Sequence, residues 1–233
     1  MLKLMDITNS PEVASIADGA GVDRIFIDLE QYGKEKRQKN WDSVKSKHSI
    51  SDIPKVKSAV KNAQIFVRTD PIFDGFSDEL EGVLACEPDV VMLPYFKTVR
   101  EVEPFIKAVD GRAPLFEELA DGTVDRLVER FKADGIKNYG FGGIASLGSG
   151  LLPAEMIIPE HYRLGSNCAI LSRAFCDVSK VGDIDEIRRI FDEGVSAIRD
   201  YEKKCAAMSE QELSENSAAL KQRVEEIISN KQQ

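Results

Sequence analysis

The sequence predicts an α/β fold, a TIM-barrel-like (β/α) parallel barrel that lacks part of the regular eight units and carries extra C-terminal helices. Two observations predict this class. Short apolar runs rich in β-branched and aromatic residues alternate along the chain with segments whose apolar residues recur at helical spacing. These runs amount to six strands and a seventh ambiguous one in 233 residues, whereas a complete barrel needs eight strands and usually about 250 residues.

Strands and helices are predicted in regular alternation. The predicted strands cover residues 2–8, 24–29, 64–70, 89–96 and 168–175, and residues 138–150 are predicted as a further strand that runs into a glycine-rich loop. Residues 113–119 are either a brief strand or the start of a helix. The predicted helices cover 11–18, 53–61, 76–86, 99–109, 123–133, 152–164, 183–204 and 209–230. Ser10 followed by Pro11 marks the first helix start, and Ser209 with Glu212 forms a capping-box pattern at the last.

The domain expectation is a barrel over residues 1–204 and a helical extension over 205–233. A free tail and a dimerisation arm are both open for the last helix, and we expect a homo-oligomer. The net charge of −9 argues against a nucleic-acid partner. The sequence has neither a signal-peptide pattern nor an apolar run long enough to span a membrane, so we expect a cytoplasmic protein without a membrane partner.

The strand at 24–29 and the loop after it carry the first candidate site. Asp28 and Glu30 lie at the carboxyl end of an apolar run, and the loop that follows holds Lys34, Arg37 and Gln38. Parallel α/β folds place their chemistry at the carboxyl ends of strands. This pattern therefore predicts a metal-assisted site for a small anionic substrate, and the alternative is a solvated turn.

A glycine-rich segment supplies a second candidate site. Gly142 and Gly143 belong to the run from Gly140 to Gly150, where backbone amides can approach a phosphate or carboxylate closely. The alternative is that the glycines only allow tight turns. Arg68 and Arg173 lie near the ends of apolar strands. Arg68 either forms an ion pair with Asp28 or Glu30 or binds a substrate carboxylate, and we favour the second; for Arg173 neither role is preferred.

Three segments together resemble one known family. They read IFIDLE at residues 25–30, FVRTDP at 66–71 and VVMLPYFKTVREVEPF at 90–105. They are similar to the aldolase/citrate lyase β-subunit family, which contains metal-dependent 2-oxo-acid aldolases and citryl- or malyl-CoA lyases. The later block, GFGGIASLGSGLLPAEMIIPEHYRLGSNCAILSRAFC, looks like a branch of the same family. The resemblance implies a (β/α)₈ barrel whose Mg²⁺ or Mn²⁺ ion stabilises an enolate, with Arg68, Asp28 and Glu30 matching its catalytic residues.

The sequence departs from that family at three points. Gln31 stands where the aldolases carry a histidine base, so it is the catalytic candidate at that position. The resemblance implies a metal-ligating glutamate after the fifth strand, which is Glu117 or Glu118 here. The family's second metal ligand is an aspartate in a G-x-x-D-L turn. No such turn occurs, and Ser146 stands at the nearest equivalent position.

Two functions from different classes follow. The first is a carbon–carbon lyase acting on a 2-oxo acid or acyl thioester through a metal-stabilised enolate. The alternative is a degenerate, non-catalytic barrel that binds a phosphorylated or carboxylated metabolite, which Gln31 and the missing turn favour. With these departures, we expect weak or absent Mg²⁺ binding compared with an intact family member.

Overall fold

Eight strands and six helices are present in the part of the chain that the structure describes. The computed structural model describes residues 2–31, 47–94, 96, 99–113, 115–117, 139–141, 144–147, 158–159, 162–163, 168–171 and 181–231. In chain order the elements are β1 Lys3–Ile7, α1 Pro11–Gly19, β2 Arg24–Asp28, α2 Asp52–Ala59, β3 Gln64–Arg68, α3 Phe76–Leu84, β4 Val90–Leu93, α4 Val99–Val109, β5 Leu115–Glu117, β6 Tyr139–Phe141, β7 Ile144–Leu147, β8 Cys168–Leu171, α5 Ile184–Cys205 and α6 Glu210–Lys231.

The chain forms two compact units. One comprises Ile7–Ser15 and Arg24–Gly142, and the other comprises Met1–Asp6, Ile16–Asp23 and Gly143–Gln233. In the first unit the strand order is β6-β5-β4-β3-β2, and each neighbouring pair is parallel. In the second unit the order is β7-β8-β1, and both pairs are again parallel. The parallel α/β class that the sequence predicts is confirmed.

The core of the first unit is built on β2 and β3. Ile25, Phe26 and Ile27 are completely buried and lie in register with the buried residues Ile65, Phe66 and Val67. The rings of Phe26 and Phe66 meet edge to face with their centroids 5.0 Å apart. Because successive side chains of a strand point to opposite faces, burial of the whole run means that both faces of these strands are covered.

Helix α5 contributes one buried apolar face to the second unit. Its apolar face buries Ile187, Phe191, Val195 and Ile198, which recur at the three- and four-residue spacing of one helix face. Asp183 caps this helix, because its side chain accepts hydrogen bonds from the backbone amides of Asp185 and Glu186. The capping box at α6 is also present: Ser209 Oγ accepts from the Glu212 amide, and Glu212 accepts from the Ser209 amide.

Most differences from the predicted elements are at strand ends. The strand expected over 89–96 ends at Leu93, because Pro94 has no amide hydrogen for a strand pair. The ambiguous segment 113–119 contains a strand, β5. The segment 138–150, predicted as one strand that runs into a glycine-rich loop, contains two strands, β6 and β7, separated by two residues in the sequence. Two residues are too few for a crossover helix, so β6 and β7 follow each other without the helix of a regular β/α unit.

Other expectations fall outside the described residues or are not decided by them. The predicted helix at 123–133 and most of that at 152–164 lie outside the described part of the chain. The boundary at residues 204 and 205 stays a prediction, and it falls at the end of α5. Where the chain is described, no helix combines the length and apolar character that crossing a membrane requires.

Candidate functional site

A buried ion pair joins the carboxyl ends of β2 and β3. Asp28 and Arg68 are paired residues in the strand register, so their side chains point to the same face of the sheet. Arg68 Nε donates to Asp28 Oδ1 at 2.9 Å, and an Arg68 terminal nitrogen donates to Asp28 Oδ2 at 2.9 Å. Glu30 Oε2 lies 3.3 Å from the same nitrogen. Asp28 and Glu30 are buried, and the Arg68 side chain is 17% exposed.

Arg68 is in an ion pair with Asp28 and Glu30, which is one of the two roles that the sequence allows. The role that we favoured from the sequence was contact with a substrate carboxylate. The guanidinium already has two carboxylates as partners, and its carbon also lies 5.3 Å from the centre of the Phe26 ring. Two carboxylates against one guanidinium leave the group with an excess negative charge. A role for Arg68, Asp28 and Glu30 in contact with a substrate stays a prediction.

His48 is a polar residue of this site whose role the sequence did not reveal. It is buried, and its Nδ1 accepts a 3.0 Å hydrogen bond from the backbone amide of Asp28. A ring nitrogen that accepts carries no proton, so the imidazole is neutral with its proton on Nε2. In the sequence His48 is only a loop histidine with no periodic pattern around it, and capping and surface roles fit it equally well.

A second polar group lies just past the ends of the same strands. The Gln31 amide donates to Asp70 Oδ1 at 2.6 Å, and the Asp70 amide donates to the carboxylate of Glu79 at 3.2 Å. Burial raises the pKa of the Glu79 carboxyl to about 7, the hydrogen bond from the Asp70 amide lowers it, and the charge of Asp70 adds to the rise. Glu79 is therefore able to take up or release a proton near neutral pH.

Gln31 and His48 also fix the two ends of the basic loop. The Gln31 side-chain amide reaches the backbone oxygen of His48 at 3.5 Å, and His48 is bonded to Asp28 at the end of β2. The segment between them, 32–46, lies outside the described residues and contains Lys34, Arg37 and Gln38. It therefore leaves and rejoins the described chain at the carboxyl end of β2.

A further buried carboxyl lies in the other unit. Asp6, near the carboxyl end of β1, is 6% exposed, and it has no hydrogen bond or ion pair with any residue in the described ranges. Burial alone raises the pKa of its carboxyl to about 7. We did not predict a role for Asp6 from the sequence, although a single aspartate in an apolar strand is a readable signal.

The remaining predicted site residues are not tested. Gly142, Gly143, Arg173 and Glu118 lie outside the described residues, together with the loop residues named above. The backbone of Glu117 lies in β5, in register with Leu93. In the described part of the chain, no group of three histidine, cysteine, aspartate or glutamate side chains is placed to hold a metal ion. Ligation of Mg²⁺ or Mn²⁺ by Glu117 or Glu118 stays a prediction.

Comparison with solved structures gives the class of the fold. A ligand-free tryptophan synthase structure from M. tuberculosis superposes with a TM-score of 0.57 at 12% identity, covering 85% of this chain and 93% of that one. A phosphoribosyl anthranilate isomerase, in complex with a reduced deoxyribulose 5-phosphate derivative, matches with a TM-score of 0.50 at 10% identity, covering 84% of this chain and 100% of that one. These neighbours have TIM-barrel folds, and this chain is an α/β protein of that TIM-barrel-like class.

The expected membership of the aldolase/citrate lyase β-subunit family is wrong. No family model matches the chain, and no curated protein matches it. The structural neighbours are tryptophan synthase and phosphoribosyl anthranilate isomerase instead. The segments that carried the resemblance are apolar strands ending in polar residues. Any parallel α/β fold needs such segments, so they indicate the fold and do not identify the family.

Proposed function

We propose that this protein is a TIM-barrel-like protein that binds a small anionic metabolite, phosphorylated or carboxylated, at the carboxyl ends of its strands. One observation carries the proposal: Gln31 and His48, which flank segment 32–46 in the sequence, are hydrogen-bonded to each other, His48 is hydrogen-bonded to Asp28 at the carboxyl end of β2, and that segment has five lysine or arginine residues and two acidic ones. Because that edge is where barrels bind their ligands, the loop brings an excess of positive charge to a binding edge.

The charges of the described residues indicate which groups would bind the anion. Among the described residues at the ends of β2 and β3, the Arg68 guanidinium pairs with Asp28 and Glu30. Two further carboxyl groups follow, Asp70, which accepts from the Gln31 backbone amide, and Glu79, which accepts from the Asp70 amide. An anion is repelled by such a group unless other cations hold it. Lys34 and Arg37 are therefore the residues to which we assign the anion, and Gly142 and Gly143 are candidates for backbone contacts to it.

The ligand bound in the isomerase complex carries a 5-phosphate and a carboxyphenyl group, so a fold of this class accommodates a metabolite with both kinds of anion. At 10% sequence identity, the isomerase is similar to this chain in fold. The choice between phosphate and carboxylate is left to the binding measurement.

Isothermal titration calorimetry with ribose 5-phosphate and with pyruvate tests the proposal on the full chain. We expect saturable binding of at least one probe, weakened about tenfold or more in a Lys34→Ala/Arg37→Ala variant, since each lost charged contact is worth roughly 1.5–3 kcal/mol. The matched control is Arg189→Ala/Lys203→Ala on α5, which removes the same charge from exposed positions. Equal weakening in both variants, or no binding by the unmodified protein, would contradict the proposal.

A second candidate function is proton transfer on such a metabolite. The observation that favours it is Glu79, whose pKa lies near 7 through burial, the range that suits a general acid or base. Incubation with pyruvate in D₂O at pH 7, followed by proton NMR, reports loss of the methyl protons. Exchange that disappears in Glu79→Gln supports catalysis, and exchange no faster than in buffer removes this candidate.

A further inference from the structure

We propose that the carboxyl group of Asp6 is a hydrogen-bond donor to a small anion that binds at the edge formed by the carboxyl ends of β7, β8 and β1. This inference rests on the proposed function only for the class of ligand, and it places a separate acid site in the second unit. The ligand class is a phosphate, sulfate or carboxylate that accepts one hydrogen bond from a neutral carboxylic acid.

The first step is the surroundings of Asp6. Strand β1 pairs with β8 through Lys3 with Cys168, Leu4 with Ala169 and Met5 with Ile170. None of these β8 residues carries a charge, and the next residue of β8, Leu171, is buried and apolar. In the described part of the chain the fold therefore buries Asp6 in β1 without giving it a polar partner.

The second step is the contrast with other acidic residues of the same unit. Asp23 accepts from the Leu4 amide and pairs with Lys3 and Arg199. Glu202, also buried, accepts from the Leu2 amide and pairs with Arg199. In this unit, the carboxylates of Asp23 and Glu202 therefore both have backbone and arginine partners. Among the described residues Asp6 lacks one, and a buried polar group without a partner needs another explanation, such as a ligand.

The third step is the chemistry of the group. A carboxylate without a partner is expensive to bury, so Asp6 keeps its proton up to neutral pH. A neutral carboxylic acid has an O–H donor, and a bond from that donor to an anion is short and strong. Acids held neutral by apolar surroundings act as donors to oxyanions in this way. Above neutral pH the same group becomes a carboxylate that repels the anion.

The experiment measures the affinity for sulfate and for pyruvate, two anions that do not titrate between pH 6 and pH 8.5, on the full chain. For the unmodified protein we expect the affinity of the bound probe to fall about 30-fold over that range, as required for a donor with a pKa near 7.

Asp6→Asn keeps a neutral donor, so its affinity should match the unmodified protein at pH 6 and change less than about twofold by pH 8.5. Asp6→Leu, without a donor, should bind about tenfold more weakly at pH 6. Glu193→Gln, an exposed control on α5, should keep the unmodified profile.

The possible outcomes separate the two proposals. Binding whose pH dependence is absent, or persists unchanged in Asp6→Asn, overturns the role of Asp6 and leaves the proposed function standing. No binding of sulfate or pyruvate at any pH overturns the role of Asp6, whereas the proposed function is overturned only if ribose 5-phosphate also fails to bind. If the Asp6 variants do not fold, carbon-13 NMR of the unmodified protein decides, because an Asp6 carboxyl that titrates near its ordinary value of about 4 contradicts the proposal.

Discussion

Asp28 and Asp6 are buried aspartates near the carboxyl ends of parallel strands, one in each unit, and they are in opposite chemical situations. Asp28 accepts two hydrogen bonds from Arg68 and has its backbone amide bonded to His48. Asp6 has no hydrogen-bonding or ion-pair partner among the described residues. The strand registers differ in one respect: β3 places an arginine in register with Asp28, whereas the β8 residues in register with Lys3, Leu4 and Met5 of β1 are uncharged.

The comparison shows that strand register decides what a buried acid does. A carboxylate opposite a guanidinium can stay charged in the interior, and removal of the guanidinium leaves a buried charge without compensation. A carboxyl opposite apolar residues has to stay neutral, which lowers stability at high pH and leaves a proton available for a ligand. The four predictions below test this contrast, from the largest expected effect to the smallest.

Removing Arg68 should have the largest effect on stability. In Arg68→Met the Asp28 carboxylate, which is 2% exposed, loses its partner. Breaking a buried ion pair in this way typically costs about 3–5 kcal/mol. Urea unfolding at pH 7 measures the difference. The control is Arg189→Met, whose guanidinium pairs with Glu186 and Glu193 at the exposed surface of α5 and should change little.

A double variant sharpens this result. Arg68→Met combined with Asp28→Asn removes the buried charge together with its partner, so it should be more stable than Arg68→Met alone. A double variant that is as unstable as the single one would mean that Arg68 contributes through its contact with Glu30 or through packing on Phe26, and not through its pair with Asp28.

Asp6→Asn should stabilise the protein at pH 8. The unfolded chain releases the Asp6 proton near pH 4, whereas the folded chain keeps it until about pH 7. Between these values the folded state binds more protons, so stability falls as the pH rises and levels off above pH 7. The full loss is on the order of 4 kcal/mol, and we expect Asp6→Asn to recover roughly half of it, since its amide is also left without a partner.

The measurement for Asp6 is urea unfolding of both proteins at pH 5 and pH 8. The variant should be less stable than or equal to the unmodified protein at pH 5 and more stable at pH 8. A variant that is less stable at both values would show that the carboxyl has a structural partner and would remove the contrast with Asp28.

His48→Ala should have an intermediate effect. It leaves the buried amide of Asp28 without its acceptor at 3.0 Å, and an unsatisfied buried donor costs about 1–3 kcal/mol. Native-state hydrogen exchange of the Asp28 amide gives a local measurement and should become faster. Ser58→Ala, which removes an exposed hydrogen bond to the Lys55 oxygen, is the control. Unchanged exchange at Asp28 would mean that a water molecule replaces the imidazole.

The sequence predicted the fold class because apolar strand runs and helical spacing are local signals. It placed β2, β3, α4, α5 and the α6 cap within a few residues. It missed β7, because the glycines around Ile144–Leu147 favoured a loop over a second strand in that segment. The family resemblance failed for the same reason that the fold prediction succeeded: both rest on strand patterns that many parallel α/β proteins share.

The candidate site was only partly readable. Asp28, Glu30 and Arg68 follow from their positions at strand ends, but choosing between an ion pair and a substrate contact requires the register of β2 and β3. His48 is 20 residues from Asp28 and Glu79 is 9 residues from Asp70, the residues they bond, and no helix or strand periodicity in the sequence links the two members of either pair. Such contacts come from tertiary structure and are visible only in the folded chain.

Glu79 provides the last and smallest test, because it is intermediate between the two aspartates. Unlike either of them it is only partly buried, and it accepts one backbone hydrogen bond, from Asp70. Its pKa is also raised to about 7 by burial, so it lowers stability as the pH rises from about 4 to 7, with the same sign as Asp6. Solvent screens a partly exposed group, so its contribution should be the smaller of the two. In urea unfolding from pH 5 to pH 8, Asp6→Asn should retain a residual decline in stability that Asp6→Asn/Glu79→Gln lacks. If the double variant shows the same residual decline in stability, a group other than Glu79 causes that decline, and the raised pKa of Glu79 does not contribute to stability.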